Sequence, residues 1–171
     1  GQLADMITAP DKDIVAINIA KDIENIHHLN NRTSGFMNYF NEPGRNKGRK
    51  LTLNIHTSDY RDIKSELGRL LSEYPDTGTL FVSSSKTYKI ARFIADENLS
   101  VINLIGYDLL DENVRYLKSG TIKFLIGQRP VEQTYKGIRK LYEYLVYGKI
   151  PDKTEYLPID IITSENVEFF L

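Results

Sequence analysis

Short runs of β-branched and other apolar residues alternate along the chain with longer segments whose apolar residues recur at helical spacing. The runs lie at 13–19, 51–55, 79–82, 101–105 and 122–126. Such runs are typical of buried strands, and amphipathic segments between them are typical of crossover helices. The alternation therefore predicts a three-layer α/β fold, in which a mostly parallel sheet carries helices on both faces.

Polar residues mark where several of these elements begin. Ser58-Asp59, Ser85 and Asp108 each stand just ahead of an amphipathic segment, where side-chain oxygens commonly cap a helix. Near the end of the chain, the apolar run 157–163 contains Pro158. Because proline cannot donate a ladder hydrogen bond, this run is expected at the edge of the sheet.

Length and composition predict one domain that does not bind nucleic acid by itself. The 171 residues include 22 basic and 23 acidic side chains, so the chain lacks the basic surface that favours DNA binding. The absence of cysteine excludes disulfides and thiolate chemistry. Residues 1–6 resemble the inside of a helix and carry no leader pattern, so we interpret the chain as part of a longer protein, with no membrane contact.

Two groups of charged or titratable residues favour no specific chemistry. His27 and His28 are adjacent and so point in different directions, whereas two metal ligands on a helix would be four residues apart. The Gly- and Pro-containing basic loop 42–50 is interpreted as a solvated turn, and contact of this loop with phosphate or a partner remains the alternative.

Candidate ligand-binding residues follow the predicted strands. Ligands of parallel sheets bind beyond the carboxyl ends of the strands, where this chain has Ser83 to Ser85, Asp108, Gln128 and Arg129. No glycine-rich phosphate loop and no pairing of a nucleophile with a base is present. Carboxylate, amide and guanidinium groups suit hydrogen bonding to hydroxyls, which predicts a binding protein without catalytic residues, cofactor or metal.

Four stretches resemble the LacI/GalR family of bacterial transcriptional regulators and the related periplasmic sugar-binding proteins. They are Arg32-Thr33-Ser34-Gly35-Phe36, the strand and polar turn 81–85, Gly106-Tyr107-Asp108 at a strand end, and Thr121 to Pro130, which resembles a Thr-Ile-x-Gln-x-Pro crossover. The chain departs from the family at Ser84-Ser85, where the family usually has Asn-Asp, and at Thr134, where glycine is expected.

The resemblance implies one lobe of a two-lobed sugar sensor. Residues 1–127 and 156–171 would form the C-terminal lobe, and residues 128–150 would form a hinge crossover and a helix that associates with an N-terminal lobe. Arg32, Asp108 and Gln128 would face the ligand, with Ser84 and Ser85 contributing. A chain holding half a cleft is expected to bind sugar weakly.

The resemblance also implies a function for the longer protein. A LacI-type regulator would be a cytoplasmic homodimer that binds a sugar effector here and DNA through an N-terminal helix-turn-helix. The main alternative is half of a periplasmic sugar-binding protein of a transport system, and an α/β enzyme is a third possibility.

Each candidate residue also has a structural interpretation. Asp108 could cap the next helix, Arg32 could pair with a surface acid, Gln128 could bond to hinge backbone, and Tyr107 could serve only in packing.

Overall fold

The computed structural model describes all residues, 1–171, and contains one six-stranded sheet. The strands are β1 (Asp13–Ile19), β2 (Lys50–Ile55), β3 (Thr77–Val82), β4 (Asn103–Tyr107), β5 (Phe124–Gly127) and β6 (Asp160–Ile162). Their order is β2-β1-β3-β4-β5-β6, with every pairing parallel except that of β5 with β6. The predicted α/β class with a mostly parallel sheet is confirmed, and the last strand lies at the sheet edge as expected.

Helices cover both faces of the sheet. The α-helices are α1 (Gln2–Ile7), α2 (His27–Tyr39), α3 (Tyr60–Glu73), α4 (Thr87–Asp96), α5 (Asp111–Lys118) and α6 (Pro130–Tyr147), and a 3-10 helix spans Val167–Phe170. Helices α1 and α2 pack on one face, whereas α3, α4 and α5 pack on the other. No helix is both long enough and apolar enough to cross a bilayer.

Strand β1 forms the centre of the core because all seven of its residues are buried. Val15, Ile17 and Ile19 enter the larger apolar cluster, which includes residues of α3, α4 and α5. Ile14 and Ala16 enter the smaller cluster, which includes residues of α1 and α2. A strand covered on both faces is largely apolar rather than alternating, and in β1 only Asp13 and Asn18 are polar.

Three predicted strands begin later than expected. The run 101–105 gives way to β4 at Asn103, because Val101 lies in a turn with its side chain 84% exposed. Strand β5 likewise begins at Phe124, and β6 is only three residues long and excludes Pro158. The predicted strands started too early because apolar residues precede these strands. An apolar pattern alone does not mark the residue at which ladder pairing starts.

Only one of the three predicted helix caps is confirmed. Asp59 is the N-cap of α3, where its carboxylate accepts a hydrogen bond from the Arg61 N–H at 2.8 Å. The N-cap of α4 is Lys86 rather than Ser85, and that of α5 is Leu110 rather than Asp108. The side-chain oxygens of Ser85 and Asp108 therefore do not cap these helices.

The basic loop 42–50 is held by internal contacts and is not a freely solvated turn. The Arg45 guanidinium pairs with Glu42, and that of Arg49 pairs with Asp13 at 2.8 Å. The Lys50 ammonium donates to the backbone carbonyls of Asn46 and Gly48. Most of the positive charge of this loop is consequently occupied within the chain.

Helix α6 projects from the sheet and contributes no buried residue. Leu141, Tyr142 and Leu145, which form its apolar stripe, are 58%, 54% and 71% exposed. The only segment lying along α6 is the irregular stretch 151–159, which is joined to the helix by ion pairs of Glu155 with Lys136 and Lys140. An apolar stripe of this kind is expected either to fold back onto the lobe or to pack against a neighbouring chain, and here it does not fold back onto the sheet. The assignment of residues 128–150 to the other lobe stays a prediction.

Gly106 allows α4 to approach β4 closely. A Cβ atom at this position would lie 2.0 Å from Thr87 Oγ1 and 2.3 Å from Thr87 Cγ2. Thr87 is fully buried and cannot move into solvent. The glycine of the Gly-Tyr-Asp stretch is therefore required for helix-to-strand packing.

We predict that Gly106→Ala lowers the free energy of unfolding by about 1–3 kcal/mol, because overpacking of a filled core costs this much. The measurement is urea denaturation followed by circular dichroism. Gly68→Ala is the matched control: it lies inside α3 with open space around the added methyl group. That control should stabilise the chain by about 0.5–1 kcal/mol through helix propensity. Equal stability of the Gly106 variant and the wild type would contradict this packing argument.

We predict that the exposed stripe of α6 makes this chain self-associate, because apolar patches of this kind are association sites. The double variant Leu141→Glu/Leu145→Glu should be monomeric by multi-angle light scattering. Ser65→Glu/Ser100→Glu, which places the same charges at exposed sites away from α6, should associate like the wild type. A monomeric wild type in which proteases cut α6 readily would overturn the prediction.

Candidate functional site

The candidate residues meet at the carboxyl edge of the parallel strands. Asp108 follows β4, Gln128 follows β5, and the serine turn 83–85 follows β3. Arg32 lies on α2, one turn after the start of the helix, and reaches the same edge. The parallel pairing of β3, β4 and β5 places these ends side by side.

Arg32, Gln128 and Asp108 form a continuous chain of side-chain hydrogen bonds. The Arg32 guanidinium donates from Nη2 to Gln128 Oε1, and Gln128 Nε2 donates to Asp108 Oδ1 at 2.6 Å. The direction of both bonds fixes the orientation of the Gln128 amide, since its oxygen must face the cation and its nitrogen the carboxylate. We call this set the Arg-Gln-Asp chain.

Arg32 is positioned by two further contacts. Its Nη1 donates to the Ser83 carbonyl oxygen at 2.7 Å, and its guanidinium carbon lies 4.1 Å from the centre of the Tyr107 ring. The Tyr107 ring also packs edge-to-face against Phe81. Arg32 forms no ion pair with a surface acid, and Tyr107 serves in packing and in holding Arg32. The guanidinium still has N–H groups without a partner, and these can donate to a ligand.

The backbone turns sharply at two neighbouring strand ends. Asp108 has φ of 68° and Arg129 has φ of 51°, a left-handed conformation that is unfavourable for residues other than glycine. Such strain costs about 1–3 kcal/mol per residue and is concentrated at functional sites. Here the left-handed turns direct the chain away from β4 and β5, so that Asp108 and Gln128 face each other.

Arg129 joins the two segments that connect α6 to the sheet. Its Nε and Nη2 donate to the two carboxylate oxygens of Asp160 at 2.9 and 2.7 Å, which gives a bidentate ion pair. Asp160 begins β6, whereas Arg129 ends the connection from β5. The pair therefore holds the outgoing and returning segments together.

The serines of the turn after β3 differ in accessibility. Ser84 is only 8% exposed, and its hydroxyl accepts a hydrogen bond from the Lys86 N–H at 3.4 Å. Ser85 is half-buried and lines a groove of about 1080 Å³ together with Asp108 and Gln128. Ser85 is thus better placed than Ser84 to contact a ligand. That either one does so is still a prediction.

Asn113 supports the site in a way that the sequence analysis missed. Its side chain is fully buried, and its Nδ2 donates to the carbonyl oxygens of Ser85, Tyr107 and Asp108 at 2.9–3.0 Å. Its Oδ1 accepts from the Tyr88 N–H at 2.7 Å. One amide thereby fastens the turn after β3 to the turn after β4. The available signal was an asparagine at a position where α5 faces the core.

Asn18 forms a second buried polar cluster at the end of β1. Its Oδ1 accepts from Thr33 Oγ1 at 2.7 Å and from Ser83 Oγ, and its Nδ2 donates to Asn54 Oδ1 at 2.9 Å. This cluster fixes α2 against the ends of β1 and β3. A polar residue between Ile17 and Ile19, inside a buried strand, was the sequence signal for it.

His28, for which the sequence favoured no specific chemistry, lies on α2 four residues before Arg32, so the two residues share one face of the helix. Burial lowers the pKa of His28, and the Arg32 charge lowers it further, whereas Asp108 opposes the shift. His28 is exposed, so it can contact a molecule bound at this edge.

The arrangement suits binding of a polar molecule. Arg32 supplies N–H donors and the Asp108 carboxylate supplies an acceptor. Hydrogen bonds to Ser83 and Gln128 hold these two side chains in place. Asp108 and Gln128 line the groove, whereas Arg32 approaches from α2. Rigid polar groups around a largely apolar groove are typical of small-molecule binding sites.

Comparison with known proteins gives a consistent fold. The periplasmic binding protein domain model matches residues 2–150. A candidate LacI transcriptional regulator from Bacteroides fragilis superposes with a TM-score of 0.85 at 31% identity, over 98% of this chain and 58% of that one. No curated protein sequence matches the chain.

Two further solved structures share the fold at lower identity. The periplasmic ribose ABC transporter of Conexibacter woesei has a TM-score of 0.83 at 17% identity, over 99% of this chain and 56% of its own. The glucose-galactose binding protein of Geobacillus stearothermophilus has a TM-score of 0.82 at 21% identity, over 97% and 57%. The chain thus spans a little over half the length of the proteins that it resembles. Because the family model covers most of its residues, the chain belongs to the periplasmic binding protein domain family.

Proposed function

We propose that this chain is the effector-sensing domain of a LacI-type transcriptional regulator, and that the effector is a sugar or a related small polar metabolite. The observation that carries the proposal is the Arg-Gln-Asp chain at the carboxyl edge of a periplasmic-binding-protein lobe. Solved relatives include proteins named for ribose and for glucose and galactose, which supports a sugar as the ligand.

The chemistry of the chain fits hydroxyl recognition. Asp108 can accept hydrogen bonds from ligand hydroxyls through Oδ2, while Oδ1 stays bonded to Gln128. Arg32 can donate to ring or hydroxyl oxygens without losing its bond to Ser83. No nucleophile is held by a base among these groups, so the ligand is bound without being transformed.

The identity to the Bacteroides fragilis protein supports a regulator over a transport protein. That identity is 31%, against 17% and 21% for the ribose and glucose-galactose proteins. Half of an exported sugar-binding protein is the second candidate, favoured by the equally close superposition of these two structures.

In the proposed mechanism, a sugar closes two lobes around itself and so changes the DNA affinity of a helix-turn-helix outside this chain. The regulator would act in the cytoplasm as a homodimer, and this chain itself would contact neither DNA nor membrane. The ligand shifts the lobe equilibrium only by its difference in affinity for the open and closed arrangements.

We predict that Asp108→Asn in the parent protein weakens sugar binding at least about tenfold, because a hydrogen bond to a charged group contributes about 1.5–3 kcal/mol. Asparagine still offers an oxygen to Gln128, so the fold should be retained. Isothermal titration calorimetry with a panel of pentoses and hexoses measures the change. Asp11→Asn, at the opposite edge of the sheet, is the control and should bind like the wild type. Unchanged affinity in the Asp108 variant would remove this residue from the site.

We predict that the parent reading frame encodes a helix-turn-helix upstream of Gly1. The relatives leave room for such a segment, since this chain covers just over half of their length. Sequencing the parent gene is the test. A cleavable export leader would favour the exported sugar-binding protein instead of the regulator. A reading frame with neither a helix-turn-helix nor a leader would overturn both functions.

A further inference from the structure

Lys86 and Lys89 converge at the carboxyl edge of the sheet, away from the Arg-Gln-Asp chain, and Lys21 follows the last residue of β1 by two positions. The Lys86 ammonium donates to Ser58 Oγ at 2.7 Å and to the Ile19 carbonyl oxygen at 3.5 Å. The Lys89 ammonium donates to the Ser58 carbonyl oxygen. Because both ammonium groups bond to one residue, they lie close together. We call Lys21, Lys86 and Lys89 the lysine cluster.

Lys21, Lys86 and Lys89 form no ion pair with an acidic side chain, unlike most of the basic residues of this protein. Burial lowers the pKa of Lys86, and the charges of Lys89 and Lys21 lower it further, with no carboxylate opposing the shift. The Asp59 carboxylate is engaged with Arg61 and caps α3, and it acts on Lys89 only from beyond ion-pair distance. Most other basic side chains of the protein pair with acids, as Lys12, Lys64 and Lys118 do.

Two helices add to the positive potential at this place. Helix α3 begins at Tyr60, two residues after Ser58, and α4 begins at Thr87, directly after Lys86. The N-terminus of a helix carries about half a positive charge from its unpaired N–H groups. The lysine cluster therefore lies beside two helix N-termini, of which that of α3 is already capped by the Asp59 carboxylate and that of α4 has no side-chain cap.

We propose that the lysine cluster binds an oxyanion, namely the phosphate, sulfate or carboxylate group of a small molecule. Like charges gathered at one place repel each other, and a bound anion relieves that repulsion while accepting hydrogen bonds from the ammonium groups. Lys86 and Lys89 are half-buried and Lys21 is exposed, so the site opens to solvent.

The oxyanion could belong to either of two kinds of molecule. Lys86 directly follows Ser85, which lines the groove with Asp108 and Gln128. An anionic sugar, such as a sugar phosphate or a sugar acid, could therefore reach the cluster from the groove. A free inorganic anion is the other source. The lysine cluster stands on its own contacts and does not depend on the proposed regulatory function.

The test is a titration of the ¹⁵N-labelled chain with sodium phosphate at low ionic strength, followed by NMR. We expect saturable shifts at residues 57–59 and 85–89 and a rise in the pKa of the Lys86 amine. Lys86→Met/Lys89→Met should weaken binding at least about tenfold. Lys123→Met removes a lysine that also bonds to a carbonyl oxygen, at the amino end of β5, and should leave the affinity unchanged.

A second titration with glucose 6-phosphate distinguishes the sources. Shifts that extend to Gln128 identify an anion carried by a sugar, whereas shifts confined to the cluster identify a free anion. Absence of saturable shifts in the wild type, or equal affinity in the double variant and the Lys123 control, would overturn the oxyanion site. Neither result bears on neutral-sugar binding, which the Asp108 variant tests separately.

Discussion

The fold depends on the burial of β1 on both of its faces. This strand has no solvent-facing side: it is paired with a parallel neighbour on each edge and is covered by helices on each face. Parallel pairing in turn gathers the carboxyl ends of β1, β3, β4 and β5 at one edge. The polar groups of the site are near one another because the core required that arrangement.

The side chains at this edge of the sheet hold one another in position, and no single residue orients them all. Gln128 has its amide oriented by Arg32 and Asp108, and Arg32 is held by a backbone oxygen and an aromatic face. Asn113 connects two turns from beneath. Because each group restricts its neighbour, little conformational entropy remains to be lost when a ligand orders them.

The class of fold and the edge that carries the site could be predicted from the sequence because they follow from apolar periodicity and from strand direction. Arg32, Asp108 and Gln128 were predicted from the family resemblance, and Asp108 and Gln128 also from their positions after strands. Asn113 and the lysine cluster could not be found in this way, because their neighbours come from distant parts of the chain. The start of β4 was misplaced because Val101 is apolar and yet exposed. The uncovered face of α6 depends on packing that sequence patterns do not specify.

The ion pair of Arg129 with Asp160 has a mechanical consequence. The chain leaves the sheet beside Arg129 and returns at Asp160, so the ion pair links the outgoing and the returning connection. A bidentate link at this point would oblige α6 and the stretch 151–159 to move together rather than independently. Such a joint would convert a small displacement at the strand ends into a defined rotation of everything attached beyond it.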